Sequence, residues 1–180
     1  VTLRTGLPPL VVVGTLLALV GGAVAQVGPR VRLTLEAVPA GRHSLQHERG
    51  RRVVVLFYED RPHVHTNDAL KQSVREWIDG NALGDQLVVY GAANLRRMPS
   101  YVPRAFVRSQ IAPLAAQWRV PILLDWEGEL QQDPWRLRGN QANVAVIDRG
   151  GHIVGRWTGP VRGARHEQFF ATVRSALAGE

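Results

Sequence analysis

The sequence predicts an α/β domain built on a mixed central β-sheet with helices on both faces. Three observations carry that expectation. Apolar, β-branched runs alternate with amphipathic helical stretches between residues 52 and 125, the pattern of parallel strands joined by crossover helices. A turn sequence, Asp148-Arg149-Gly150-Gly151, separates two late apolar runs and marks an antiparallel hairpin. Finally, 45% of the 180 residues are hydrophobic and none is cysteine, so one packed core without disulfides has to hold the chain together.

Arg4 precedes the apolar stretch Leu10 to Val20 (LVVVGTLLALV), which ends in Gly21-Gly22 and the small residues Ala23-Val24-Ala25. That order is the pattern of a secretory signal peptide over residues 1–25, cleaved ahead of Gln26. The alternative is an uncleaved N-terminal membrane anchor, because residues 7–25 are about long enough to span a bilayer. Either way residues 27–180 are expected to form a single domain that is periplasmic or secreted. Membrane contact then arises through the N-terminal segment, if it is retained.

Arg30 to Val38 alternates apolar and polar residues as a half-buried strand does. A polar connection with glycine and histidine follows, from Pro39 to Gly50. Arg52 to Tyr58 (RVVVLFY) is continuously apolar, as a strand covered on both faces should be. Thr66 or Asn67 can cap a helix through Asp79, with Ala69, Leu70, Val74, Trp77 and Ile78 on one face and Gly80 at its end. Asp85 to Tyr90 is the next strand. Ser100 is the expected N-cap of a helix to Trp118, with Pro103 in its first turn and Pro113 kinking or dividing it. Pro121 to Asp125 is a short buried strand closed by a turn at Glu127-Gly128. Leu130 to Leu137 fits a short helix or a loop. Asn143 to Ile147 and His152 to Trp157 form the hairpin. Arg165 to Ala178 is a final helix burying Phe169, Phe170, Val173 and Leu177.

This order resembles the thioredoxin-like superfamily in its peroxiredoxin-like arrangement. Arg52 to His65 (RVVVLFYEDRPHVH) is similar to the strand and loop that carry the redox cysteines there, and Asn143 to Trp157 (NVAVIDRGGHIVGRW) resembles the late hairpin. Within the superfamily the chain is most similar to the YtfJ-like family of exported bacterial proteins, on Phe106-Val107-Arg108-Ser109 and on the stretch from Ile122 through Trp135 to the hairpin. The resemblance implies a fold; that family brings no defined activity with it. The departures matter more. Where the resemblance places the reactive thiols, this chain has Glu59, Asp60, Arg61, Pro62, His63, Val64 and His65. Where it places a cis-proline ahead of the hairpin, there are Gln141, Ala142 and Asn143. A cysteine-free chain can be neither a thiol–disulfide oxidoreductase nor a cysteine peroxidase.

Several residues offer other chemistry. His63 and His65 share a face if their segment is extended, and with Glu59, Asp60 or Asp68 they offer a two-histidine, one-carboxylate set for a divalent metal. A solvated loop with Asp60 paired to Arg61 explains the same residues. His43 and His47 would align on a short helix. Trp118, Trp126, Trp135 and Trp157 either line an aromatic pocket or pack the core. Arg96-Arg97 near a helix start is suited to a phosphate or carboxylate. Ser44, Ser73, Ser100, Ser109 and Ser175 lie in no nucleophile elbow.

The net charge of +7 comes almost wholly from arginine, Lys71 being the sole lysine. The basic residues are scattered without runs or interleaved aromatics, so no nucleic-acid partner is expected. The expectation is therefore a non-catalytic binding or accessory module with an envelope protein as partner and no cofactor. A metal-binding or metal-assisted protein using His63 and His65, and a weak binder of polyanions or membrane surfaces, are the alternatives.

Overall fold

The computed structural model describes residues 29–39 and 41–179, so the expected signal peptide or anchor lies outside the described residues. Among the described residues no helix is long and apolar enough to cross a membrane. The elements run β1 (Thr34–Val38), β2 (Arg42–Ser44), β3 (Val53–Glu59), α1 (Asp68–Gly80), β4 (Leu87–Asn94), α2 (Arg104–Trp118), β5 (Ile122–Asp125), β6 (Asn143–Ile147), β7 (Ile153–Thr158) and α3 (Ala164–Ala178). They build one seven-stranded sheet in the order β2-β1-β5-β4-β3-β6-β7. β3, β4 and β5 are parallel, and the strands on either side of them are antiparallel. The mixed sheet expected from the sequence is present.

The steps β3 to β4 and β4 to β5 move in one direction along the sheet. Right-handed crossovers then place α1 and α2 on the same face. α3 joins them there, because Phe169 and Val173 share a core with Leu70 and Val74 over Val53, Val55 and Phe57. The opposite face is covered by a 3-10 turn at Leu45–Glu48, a second at Glu129–Gln131, and the coil that carries Trp135 and Leu137. All three α-helices thus lie on one face, and the other carries only short 3-10 helices and coil.

β3 is buried at every position, which matches its uninterrupted apolar run. β1 is shorter than the alternation suggested, since Val31 and Leu33 are buried in coil rather than paired in the sheet. The connection after it contains the edge strand β2. β4 continues four residues beyond Tyr90, through Gly91-Ala92-Ala93-Asn94, where small side chains give no strand signal.

α2 corrects two expectations. It begins at Arg104, with Pro103 as its extended N-cap, so Ser100 is a turn residue and no cap. Pro113 lies inside one unbroken helix rather than dividing it. Pro113 is exposed, so the carbonyl left without a helical donor can turn to water. In α1, Asn67 stands at the N-cap position, yet its side chain makes no cap bond. Instead Oδ1 accepts from Val161 N at 2.9 Å and Nδ2 donates to Gly159 O at 3.3 Å, tying the start of α1 to the end of β7.

Gly155 in β7 shows how tight the α3 layer is. A Cβ there would lie 2.6 Å from Trp157 Cζ3 and 3.1 Å from Thr172 Cγ2. Trp157 is 6% exposed and packs edge-on to Phe169 at 5.4 Å between ring centroids, so it cannot swing away freely. Gly155→Ala is expected to destabilise the domain by about 1–3 kcal/mol through overpacking. Urea denaturation followed by tryptophan fluorescence reads that loss.

Candidate site at the end of β3

The apolar run of β3 ends in a carboxylate. Glu59 is 8% exposed, and its neighbour in the sheet is Ala93 of β4. After it the chain makes a 3-10 turn at Arg61–His63, with Asp60 extended before it, and then enters α1. Lys71 lies one turn into α1 and points back over this loop. Its Nζ donates to Glu59 Oε2 at 2.8 Å, to Val64 O at 2.6 Å and to Asp68 Oδ1 at 3.2 Å. Three ammonium protons meet three acceptors, a tetrahedral arrangement that a planar guanidinium does not reproduce. Phe57 and Trp118 rings stand 5.8 and 5.4 Å from the same nitrogen. That geometry accounts for a lysine here in a chain that otherwise uses arginine. With its three contacts on Glu59, Val64 and Asp68, Lys71 clamps the loop to the start of α1.

Glu59 and Glu48 show which effect wins for a buried carboxylate. Burial pushes both upward. At Glu48 it is outweighed by the Arg52 fork at 2.6 and 3.0 Å and the Tyr90 hydroxyl at 2.8 Å, so its carboxyl is held below the ordinary glutamate range. Glu59 has one lysine bond on Oε2, while Oε1 is buried with no partner. Burial prevails over Lys71, and the carboxyl is pushed up to about 7.

The structure separates the histidines proposed as metal ligands. Because Arg61–His63 is a 3-10 turn and not an extended strand, His63 and His65 do not share a face. His63 Nδ1 is hydrogen-bonded to Asp60, and His65 Nδ1 to Asp68 Oδ2 at 2.8 Å, so each ring has its own carboxylate. Asp60 is therefore paired with His63 rather than with Arg61. Arg61 and Pro62 are exposed. Among the described residues no group of three or more histidine, aspartate or glutamate side chains is placed to hold a metal ion.

At the entry to β6 a second buried group stands. Asn143 has no exposure; its Nδ2 donates to Arg138 O and Gln141 O, both at 2.8 Å, and its Oδ1 accepts from Arg138 N at 3.0 Å. Asn143 pairs with Tyr58 across the sheet, beside Glu59. Burial raises the Tyr58 hydroxyl well above the ordinary phenol range, with Asp125 adding to the effect, and Gln131 Nε2 donates to it at 2.8 Å. The side chains at this end of the sheet are mutually satisfied hydrogen-bond partners, with Glu59 Oε1 as the exception.

The remaining candidates fall in different places. Trp135, Trp157 and Trp126 belong to three separate clusters, so they form no common pocket. His43 lies in β2 with its ring 5.9 Å from Tyr90, and His47 is exposed on the following turn. Arg96 and Arg97 line a polar pocket of about 460 Å³ with Asn94, Gln131, Gly139 and Asn140. Many other arginines are spent on backbone carbonyls: Arg49 on Val31, Arg149 on Leu177, Arg156 on Pro134, and Arg165 on Pro160 and Thr158. A larger groove of about 820 Å³ lies between α1 and α2, with Glu59 and Lys71 among its walls.

Solved structures share this arrangement. The chain is similar to a thiol-disulfide isomerase from Corynebacterium glutamicum, at 21% identity over 84% of this chain and 97% of that one, with a TM-score of 0.63. It is similar to a thioredoxin-like superfamily protein at 18% identity, over 84% and 98%, TM-score 0.62. The fold is thioredoxin-like. A third neighbour of the same thioredoxin-like shape is BsSco, a member of the Sco family of cytochrome c oxidase assembly proteins, at 10% identity over 86% and 96%, TM-score 0.60. No protein-family model matches the chain, and no match comes from the curated proteins.

Two residues at the end of β3 carry more than their local sequence announces. Glu59 was considered as a metal ligand and Lys71 simply as the sole lysine. Their signals were present: a carboxylate closing a continuous apolar strand, and one lysine among 22 basic residues.

Proposed function

We propose that this thioredoxin-like domain is a non-catalytic binding or accessory module that works outside the cytoplasm with an envelope protein as partner. The observation that carries the reading is the Lys71–Glu59 clamp. It fills the strand end where the superfamily resemblance places reactive thiols, and it leaves no free nucleophile among the clamp residues. The export pattern of residues 1–25 supports the compartment, and the stretch Phe106 to Ser109 supports kinship with the YtfJ-like family. Thiol–disulfide isomerisation in one solved neighbour and the disulfide switch of the Sco-family assembly protein both need cysteines that this chain lacks, whereas association with a partner protein does not.

Capture of a defined partner from the envelope fraction by the full chain is the expected result. Turnover of a substrate by the purified protein, abolished by replacing one residue of the 59–65 loop, would overturn the reading. So would stoichiometric divalent metal that disappears in a His63→Ala, His65→Ala variant. Binding to polyanions or anionic vesicles that falls steeply with salt would favour the third reading.

A further inference from the structure

The polar pocket of about 460 Å³ lies at the carboxyl end of the parallel strands, where open α/β sheets ordinarily take their ligands. Its volume is in the usual range of small-ligand sites. Its amides are spent on one another. Gln131 Nε2 donates to the Tyr58 hydroxyl at 2.8 Å and to Asn94 Oδ1 at 3.1 Å, while Asn94 Nδ2 donates to Gly139 O. That network braces Arg96. The Arg96 backbone N–H donates to Asn94 Oδ1 at 3.3 Å, and its Nη1 donates to Gln131 Oε1 at 3.4 Å. The Arg96 stem lies over Gly128, where a Cβ would come within 2.7 Å of Cδ. Arg96 Nε and Nη2, with the side chains of the exposed Arg97 and Asn140, are donors without a partner among the described residues. No carboxylate among the described residues lines the pocket. Asp125 accepts from Glu129 N and Leu130 N, Glu127 stands 3.7 Å from Arg104, and Asp133 pairs with Arg136. Glu129 is exposed and not part of the wall.

We propose that this pocket binds a small polar dianion, a dicarboxylate or a phosphate monoester, on the Arg96 and Arg97 guanidinium groups. A guanidinium fork holds a carboxylate or phosphate through two parallel N–H bonds, and such charge-assisted pairs are stronger than bonds between neutral groups. Two cations with no counter-charge in the wall select two negative charges. The amide-lined walls offer nothing to an apolar tail, which keeps the ligand small and polar. Gln131 is anchored on the buried Tyr58 and on Asn94, so Arg96 is held in place before the ligand arrives and loses less freedom on binding. This site goes beyond the partner reading and does not depend on it.

Isothermal titration of the full chain with succinate, glycerol 3-phosphate and succinamide, at pH 8 and constant ionic strength, tests the proposal. At least one dianion should bind saturably, and at least about 10-fold tighter than succinamide, the uncharged match of succinate. The tighter dianion names the class. Arg96→Met and Arg97→Met should each weaken that binding at least about 10-fold. Arg174→Met, an equal loss of charge on the exposed side of α3, should leave it unchanged. Gln131→Met keeps the charge and the length but removes the brace, and should weaken binding as well. Denaturation midpoints verify that each variant folds. No saturable binding, succinamide as tight as the dianions, or full affinity in both arginine variants would each overturn the proposal. An equal loss in Arg174→Met, or full affinity in Gln131→Met, would overturn it by reducing the site to surface charge. Envelope capture is read separately, so a failed titration with capture intact removes the dianion site and leaves the module.

Discussion

Replacing Lys71 with methionine is expected to cost about 3–5 kcal/mol of folding stability at pH 8, the usual penalty for leaving a buried charge without its partner. Methionine keeps the length and the contacts with Phe57 and Trp118 but removes all three hydrogen bonds. Glu59 must then stay ionised among apolar groups or take up a proton at a pH where the unfolded chain would not. At pH 5 the penalty should be smaller by about 1.4 kcal/mol, one pH unit's worth, because Glu59 is then protonated with or without Lys71, whereas at pH 8 it ionises readily only in the unsubstituted chain. The sign follows from the direction of the shift. Glu59 is raised from 4.5 to about 7, so between those values the folded chain holds a proton that the unfolded chain releases. Stability should therefore fall as pH rises through that window, by about 3 kcal/mol in all, and level off above it. Lys71 and His65 favour the ionised form of Glu59, and Asp68 opposes it. Urea denaturation at pH 5 and pH 8, with Glu59→Gln as the variant that removes the slope, checks both statements.

Trp135→Ala is expected to be comparably severe, at about 3–5 kcal/mol. Trp135 is 2% exposed and packs in the cluster that holds Leu56, Tyr58, Leu123 and Ala145. That face of the sheet has no α-helix over it, so one indole with Leu130 and Leu137 does the work of a helical layer. The coil around it cannot close over a cavity as a sliding helix might. Trp135 Nε1 is buried without a partner. Trp135→Phe, which removes that donor while keeping a ring, should accordingly cost much less than alanine. Thermal denaturation of the two variants side by side gives the difference.

The sequence was most informative where one physical requirement dominates. β3 is buried on both faces, and its six residues from Val53 to Tyr58 were legible as an unbroken apolar run. The β6–β7 hairpin was legible because its turn demands glycine, as the positive φ of Gly151 illustrates. Legibility failed where tertiary contacts override local preference. Asn67 has the right chemistry for a cap but spends its side chain on Gly159 and Val161, 92 and 94 residues away. β4 ran on through Gly91 to Asn94 because pairing with β3 and β5 holds small residues that have no strand preference. The site was half visible. In the 59–65 loop the assumed extended backbone is a 3-10 turn at Arg61–His63, followed by a further turn through His65. Lys71, twelve residues beyond Glu59, is brought to it by the crossover, which no short-range spacing announces.

What distinguishes this domain is that an ion pair, not a reactive atom, closes the end of β3, and the titration of one carboxyl measures that directly. Carbon-13 NMR of the Glu59 side-chain carboxyl in the full chain should give a midpoint near 7, moving higher in Lys71→Met. A midpoint in the ordinary glutamate range, unmoved by the loss of Lys71, would mean that water reaches Glu59 and that no buried clamp exists.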